Sequence, residues 1–297
     1  MDYKISRREL SNDLLYDTLR TLARSLSSLS IPVYVVGATA RDMAMLLLHE
    51  DEPKRRTRDL DVAIAIPNWE AFDEVSEKLQ HNGFEKLPAK QRFVYKGRNY
   101  ENDYEVDIVP FGGVEENEQI KWQPEGVPIM SVKCFKDVLS HAVEVNIDDS
   151  LSVYMAPLCG QFLIKLDAWI DRHDRVDKDA SDMVYILSKY FYTMFLSTSE
   201  VPKEVDVEHD TTADYLIAGA QWIAADLKEI LSTDHLRYYI DFIGKEMQQD
   251  TESKLIGQFV HFLGDETDDI IETVKTIWKS MQRVFEQELN RRKDDNT

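Results

Sequence analysis

Three aspartates stand where their carboxylates could act together on one ligand. Asp59 and Asp61 open the apolar run LDVAIAI, and Asp107 lies in a second apolar run, YEVDIVPF. On a strand, residues two apart point to the same face, so Asp59 and Asp61 present both carboxylates together. Carboxylates held so close repel one another, and a hard divalent cation such as Mg²⁺ relieves the repulsion. A buried Asp107 is costly unless it also meets a cation or several hydrogen-bond donors.

A strand-to-helix turn upstream has the composition of a phosphate-binding site. The turn is Val36-Gly37-Ala38-Thr39-Ala40-Arg41-Asp42, in which small residues let a phosphate approach the backbone. The helix N-terminus supplies N–H groups and positive dipole character, and Thr39 adds a hydroxyl. The order of turn, helix, basic loop, paired aspartates and a later aspartate can place three carboxylates around two metal ions that face the turn. That is the arrangement used in two-metal phosphoryl transfer.

Each of these signals also has a purely structural explanation. A lone Asp-x-Asp at the start of a strand is commonly a turn or a solvated edge, and a lone Gly-Ala-Thr turn commonly reflects tight packing. Asp107 taken alone could be a structural aspartate held by backbone N–H groups. The order of the three signals along the chain, rather than any one of them, favours the catalytic interpretation.

The elements that must position these residues follow from periodicity. A helix is expected over 6–29, a strand over 33–36 and a second helix over about 39–49. The remaining expected elements before the linker are strands at 60–66, 92–97 and 104–111, a helix at 68–81, a hairpin of 143–147 with 151–156, and helix from Pro157 to about 194. We predict an α+β fold in which residues 1–196 form a small mixed β-sheet core with flanking helices. Polar residues 197–212 form a linker, and residues 213–297 form an all-helical C-terminal domain.

The segments VVGATARDMAMLL, RRTRDLDVAIAI and YEVDIVPF resemble the polymerase-β-like nucleotidyltransferase superfamily. The resemblance implies in-line attack by an acceptor hydroxyl on the α-phosphorus of a nucleoside triphosphate, with release of pyrophosphate. It implies that two Mg²⁺ ions are held by the aspartates, with Asp107 serving as or near the general base. The turn residues implied to contact the nucleotide are Gly37, Ala38, Thr39 and Arg41. The family usually has Gly or Ser where this chain has Ala38, so a catalytically silent member that binds nucleotide or a partner stays an alternative.

A second pattern lies after the hairpin. Lys165, Arg172, Asp179 and Asp182 are similar to the Lys…Arg…Lys-Asp-x-x-Asp pattern of abortive-infection type nucleotidyltransferase toxins. The resemblance implies that Lys165 contacts the triphosphate and that Asp179 and Asp182 support the catalytic face. An unbroken helix would bring the four onto one arc, although the polar run at 173–177 can break it. The alternative is a helix with ordinary charge pairs. The order V-G-x-x-x-R-D, then D-x-D, is also similar to CCA-adding enzymes.

Charge and composition bear on the partners. The 297 residues have a net charge of −20, of which −11 belongs to residues 197–297. This acidity argues against indiscriminate nucleic-acid binding and would attract a cationic small-molecule acceptor such as an aminoglycoside. Basic residues cluster at 54–58 and 86–98, and they offer a local track for a toxin-like enzyme that modifies tRNA or a protein. A toxin-like enzyme implies a cognate antitoxin as a possible partner. The sequence leaves the base and the acceptor open.

The same composition predicts a compartment. Two cysteines cannot build a disulfide framework, which fits a reducing environment. The N-terminal residues have no apolar core of a signal peptide, and no run approaches roughly 18 apolar residues. We therefore expect a cytoplasmic protein with no membrane partner.

Overall fold

The computed structural model describes residues 3–10, 12–48, 59–97, 100–198, 200–207, 211–264 and 267–295. By its internal contacts the chain divides into two compact units, Met1–Pro157 and Leu158–Thr297. The basic cluster expected at 54–58 and Arg98 lie outside the described residues. None of the helices in these ranges is both long and apolar enough to cross a membrane.

The first unit is built on a mixed sheet. Its strands are Tyr3–Ile5 (β1), Tyr34–Val36 (β2), Asp59–Ile66 (β3), Phe84–Lys86 (β4), Arg92–Tyr95 (β5), Tyr104–Gly112 (β6), Glu115–Glu116 (β7), Gln119–Lys121 (β8), Ile129–Ser131 (β9), Val143–Ile147 (β10) and Leu151–Met155 (β11). Eight of them form one sheet in the order β1-β10-β11-β2-β3-β6-β5-β4, and β7, β8 and β9 form a small separate sheet. Within the large sheet, β1–β10, β11–β2 and β3–β6 are parallel pairs and the others are antiparallel. The predicted mixed sheet is confirmed.

In the described residues of this unit, four helices accompany the sheet: Asp13–Ser27 (α1), Gly37–Leu47 (α2), Trp69–His81 (α3) and Phe135–Leu139 (α4). The side chain of Asn12 accepts a hydrogen bond from the Leu15 amide, so α1 begins at Asp13 rather than at residue 6 as the leucine spacing predicts. Asn68 caps α3 in the same way. The apolar stripes of both helices are buried, as their periodicity predicts.

The second unit contains six α-helices and no strand among its described residues. The helices are Leu158–Arg172 (α5), Lys178–Ser197 (α6), Thr212–Ile230 (α7), Thr233–Gln249 (α8), Lys254–Leu263 (α9) and Asp268–Asp294 (α10). Helices α7 to α10 confirm the all-helical character predicted for residues 213–297, and their N-cap hydroxyls each accept a first-turn amide. Trp169, Trp222 and Trp278 are almost fully buried in this unit.

The division between the units differs from the expected linker. Residues 197–212 connect α6 to α7 inside the second unit, and the break in contacts falls after Pro157. The physical reason is the packing of α6, whose apolar side lies against α7 and α9 of the helical unit. The polar, proline-containing residues 197–212 therefore form a connection between two helices rather than a linker between compact units.

Candidate active site

Asp61 lies at the meeting point of the three predicted signals. Strand β3 runs between β2 and β6, so Asp61 pairs in register with Val36 on one side and with Asp107 on the other. Val36 immediately precedes the turn at Gly37. The topology therefore brings the glycine turn, the paired aspartates and the later aspartate onto three adjacent strands.

The burial pattern of β3 matches the predicted alternation. Asp59 and Asp61 are half-buried on one face, while Leu60 and Val62 are buried on the other. Asp59 pairs in register with Glu105, two residues before Asp107 on β6. Since paired residues point to the same face, four carboxylates share one face of the β3–β6 pair.

The turn at Gly37 is fitted closely to the Asp61 carboxylate. Gly37 has a φ of +66°, a left-handed conformation that favours glycine. A Cβ at this position would lie 2.3 Å from Asp61 Oδ2, well inside contact distance. The glycine is thus required both by its backbone conformation and by the approach of Asp61.

Two of the side chains predicted to bind nucleotide make internal contacts. Thr39 is 3% exposed, and its Oγ1 donates to the Asp59 carbonyl oxygen at 3.4 Å. Arg41 is buried and donates from Nε and Nη2 to Asp42 Oδ1, at 3.0 and 2.8 Å. The N-cap residue of α2 is Val36, whose side chain makes no capping hydrogen bond. The backbone of Gly37 and Ala38, rather than the Thr39 and Arg41 side chains, is what this turn presents to a phosphate.

Asp107 has an arginine partner that the sequence did not indicate. Arg92, on β5, pairs in register with Asp107, and its guanidinium spans the carboxylate: Nε lies 2.7 Å from Oδ1 and Nη2 lies 2.8 Å from Oδ2. The third nitrogen, Nη1, lies 3.1 Å from Glu105 Oε2. The hydrogen bond to Asp107 is the main reason that the pKa of Arg92 is raised above its usual value.

The acidic side chains of the site act on the nearby Tyr104 phenol. Burial first, and then the charges of Asp59, Asp42 and Asp61, raise the pKa of the Tyr104 phenol. Asp42 and Glu105 were not predicted as site residues. Glu105 could have been found, because it precedes Asp107 by two residues and so shares its face by strand parity.

These residues suit one Mg²⁺ ion better than two. Asp59 and Asp61 supply the carboxylate pair that, with substrate phosphates, typically holds Mg²⁺. Both oxygens of Asp107 are already hydrogen-bonded to Arg92. Across the described part of the chain, no group of three or more His, Cys, Asp or Glu side chains is arranged to hold a metal ion. The expected second ion on Asp107 does not fit these contacts.

Comparison with known proteins adds little. No family model matches the chain. No curated protein matches it either. Among solved structures it is similar to a CCA-adding enzyme in complex with CTP, at 10% identity over 95% of this chain and 72% of that one, with a TM-score of 0.25. A likeness at that TM-score carries no argument about this chain.

The four residues of the second predicted pattern lie together in the helical unit. Residues 173–177 separate α5 from α6, and the residues meet between two helices rather than along one. Lys165 Nζ lies 2.7 Å from Asp182 Oδ2 and 3.5 Å from Asp179 Oδ1, while Arg172 binds both oxygens of Asp179. These contacts account for the pattern as an ion-pair cluster between α5 and α6, and a nucleotide contact by Lys165 stays a prediction.

The described part of the basic strip at 86–98 is compensated by its own surroundings. Lys90 pairs with Glu125 and Lys96 pairs with Asp103. Lys86 Nζ donates to the Lys90 carbonyl oxygen and lies over the ring of Phe93. Together with the Arg92–Asp107 pair, these contacts leave the strip poorly suited to neutralise a phosphate backbone.

Proposed function

We propose that this protein is a nucleotidyltransferase, which moves a nucleoside monophosphate from a nucleoside triphosphate to an acceptor hydroxyl and releases pyrophosphate. The observation that carries the proposal is the register of β2, β3 and β6, in which Asp61 lies beside both the Gly37 turn and Asp107. A phosphate-binding turn next to paired carboxylates is the juxtaposition that phosphoryl transfer needs.

Each part of the site has a role in this reaction. The backbone at the start of α2 holds the triphosphate, and the Gly37 conformation aims this turn toward Asp61. Asp59 and Asp61 hold Mg²⁺, which when bound neutralises phosphate charge and favours the leaving pyrophosphate. Asp107, oriented by Arg92, accepts the proton of the acceptor hydroxyl. These contributions are mainly positioning and electrostatics.

The acceptor that the described charges favour is a cationic small molecule. The chain has a net charge of −20, and Lys90, Arg92 and Lys96 are already paired with carboxylates. A tRNA acceptor would need uncompensated cations and would bind with a steep dependence on salt. A cationic acceptor such as an aminoglycoside is instead attracted by the acidic surface.

A second candidate function is nucleotide binding without transfer. It is favoured by one observation, the bidentate Arg92–Asp107 pair, because that pair occupies the carboxylate expected to accept the proton. Both functions predict that a triphosphate with Mg²⁺ stabilises the protein in a thermal-shift measurement. Only nucleotide transfer predicts a labelled product.

The test is incubation with each α-³²P-labelled triphosphate and Mg²⁺, together with total RNA, cell lysate or an aminoglycoside panel. We expect label on an aminoglycoside-class acceptor, abolished by Asp61→Asn and retained by Asp103→Asn, an aspartate paired with Lys96 away from the Asp59–Asp61 pair. Label on RNA or protein would support nucleotide transfer but show that the acceptor is not a cationic small molecule. Triphosphate binding with no labelled product under any condition would favour nucleotide binding without transfer. Wild-type turnover by Asp61→Asn would show that Asp61 is not part of the active site.

A further inference from the structure

The proposed function leaves open how many metal ions the site binds, and the contacts of Asp107 bear on that number. Asp61, Asp107 and Arg92 occupy one row across three adjacent strands, because Asp107 is the register partner of both Asp61 and Arg92. Adjacent strands lie about 4.8 Å apart, so Arg92 stands on the strand next to Asp107, where a second cation would otherwise be expected. The residue at the end of this row, Arg92, carries a positive charge.

We propose that the Arg92 guanidinium takes the place of a second divalent cation at Asp107, so that the site binds one divalent ion, through Asp59 and Asp61. This assignment rests on the proposed function, since it names the cations of that same site. It makes Arg92 a positioning residue, which acts by holding Asp107.

The first argument is geometric. Arginine presents a rigid planar fork, and here both arms are used on Asp107 at 2.7 and 2.8 Å. The side chain of Asp107 is only 16% exposed, so its pair with Arg92 is largely shielded from water. A metal ion at Asp107 would compete with these charge-assisted hydrogen bonds for the same two oxygens.

The second argument is electrostatic. Arg92 also contacts Glu105, so its positive charge is shared by two carboxylates of the same face. The charges of Asp107, Glu105 and Asp59 all contribute to raising its pKa, after the hydrogen bond to Asp107. A guanidinium stays charged at every physiological pH, and a divalent ion beside it would be repelled.

The test is a count of bound Mn²⁺ by electron paramagnetic resonance on the full chain without nucleotide. The wild type is expected to bind about one Mn²⁺ per chain, since two carboxylates suffice for one such site. Asp61→Asn is expected to lose this ion. Asp107→Asn is expected to keep it, because Asp107 is not a ligand of it.

Removing the arginine is expected to create a second site. Arg92→Gln should raise the count to about two per chain by freeing a carboxylate pair, Asp107 and Glu105. Adding Asp107→Asn to that variant should return the count to one. Lys90→Gln, a neighbouring basic residue paired with Glu125, serves as the matched control and should leave one ion bound.

Two ions bound by the wild type, no ion bound, or the loss of an ion in Asp107→Asn would each overturn the assignment. So would a folded Arg92→Gln variant that still binds one ion. The wild-type and Asp107→Asn counts decide the question even if Arg92→Gln does not fold. If the wild type bound two ions and still transferred nucleotide, the role proposed for Arg92 would be wrong and the proposed function would stand. If it bound one ion and transferred no nucleotide, the proposed function would be wrong and the ion count would stand.

Discussion

Gly37 and Asp61 are in such close contact that a single methyl group on the glycine would fall 2.3 Å from the Asp61 carboxylate oxygen. Gly37 belongs to the start of α2 and Asp61 to β3, so this contact holds the turn at Gly37, for which we propose phosphate binding, against the carboxylate pair. Five predictions rest on this contact and on the other contacts of the described residues.

Gly37→Ala should abolish or strongly reduce nucleotide transfer by displacing the Asp61 carboxylate. The positive φ adds about 1 kcal/mol of backbone strain. Gly83→Ala is the matched control, because Gly83 also has a positive φ, of +93°, while its new Cβ would meet nothing closer than 3.9 Å. Urea unfolding should show a loss for both variants, larger for Gly37→Ala because its Cβ also meets Asp61, and transfer should be lost only at Gly37. Equal activity in the two variants would contradict a role for the Gly37–Asp61 contact.

The Arg92–Asp107 pair should show a measurable coupling energy. A double-mutant cycle with Arg92→Gln and Asp107→Asn should give about 1–2 kcal/mol, because the pair is bidentate and partly shielded from water. The same cycle on Lys96 and Asp103, whose side chains are about half exposed, should give less than about 0.5 kcal/mol. Denaturant unfolding measures both. Indistinguishable coupling energies would mean that Arg92 does not hold Asp107 firmly.

Asp226→Asn should stabilise the helical unit at neutral pH. Burial raises the pKa of Asp226 to about 6, although the hydrogen bond from Tyr190 at 2.5 Å opposes the shift. A carboxyl with a raised folded pKa destabilises the fold progressively as pH rises from its unfolded pKa of about 3.9 to about 6. The gain in unfolding free energy should therefore be near zero at pH 4 and reach about 2–3 kcal/mol at pH 7.

Asparagine retains an oxygen that can accept the Tyr190 hydrogen bond, so the comparison isolates the charge. Asp234→Asn, at an aspartate whose side chain is 90% exposed, should change stability by less than about 0.5 kcal/mol at either pH. A gain at Asp226 that did not depend on pH would show that the charge is not its cause.

Asp179→Asn should destabilise the α5–α6 pair by about 2–4 kcal/mol at neutral pH, because it leaves Arg172 without its fully buried partner. Burial works against ionisation of Asp179, but the Arg172 hydrogen bond and the Lys165 charge prevail and lower its pKa. A depressed folded pKa stabilises the fold above the unfolded value of about 3.9 and loses that effect as pH falls below it. The difference from wild type should therefore shrink on acidification.

The nucleotide contact implied for Lys165 can be separated from this structural role. If Lys165 only links the helices, Lys165→Gln should lower the unfolding free energy and leave the KM for the triphosphate unchanged. A raised KM in folded protein, absent from the exposed control Lys178→Gln, would support the contact that the sequence resemblance implies.

Local pattern was sufficient for much of the fold. Strict alternation around Asp59 and Asp61 predicted their shared face, and the hairpin of 143–147 with 151–156 needed only its turn residues and two apolar runs. Strands as short as Tyr3–Ile5 carry too few residues for a period to be recognised, and this strand exists because residues 145–147 supply its partner.

The parts of the site that escaped prediction depend on non-local register. Arg92 looked like one more member of a basic surface strip, and only the pairing of β5 with β6 sets it opposite Asp107. The spacing of Lys165, Asp179 and Asp182 predicted that they lie together on one helix, but their ion pairs depend on a contact between two helices across the break at 173–177. Such partners are decided by tertiary packing, which composition and spacing do not encode.

The order of strands in the first unit has a consequence for solubility. Strand β2, which leads into the Gly37 turn, receives its second neighbour only from β11, more than a hundred residues later. Without the β10–β11 hairpin, β2 would be an exposed edge made of Tyr34, Val35 and Val36, an apolar row open to pairing with another chain. The hairpin therefore also acts as a cover against aggregation. A chain ending before residue 143 would have the elements of the site but would be expected to self-associate through β2.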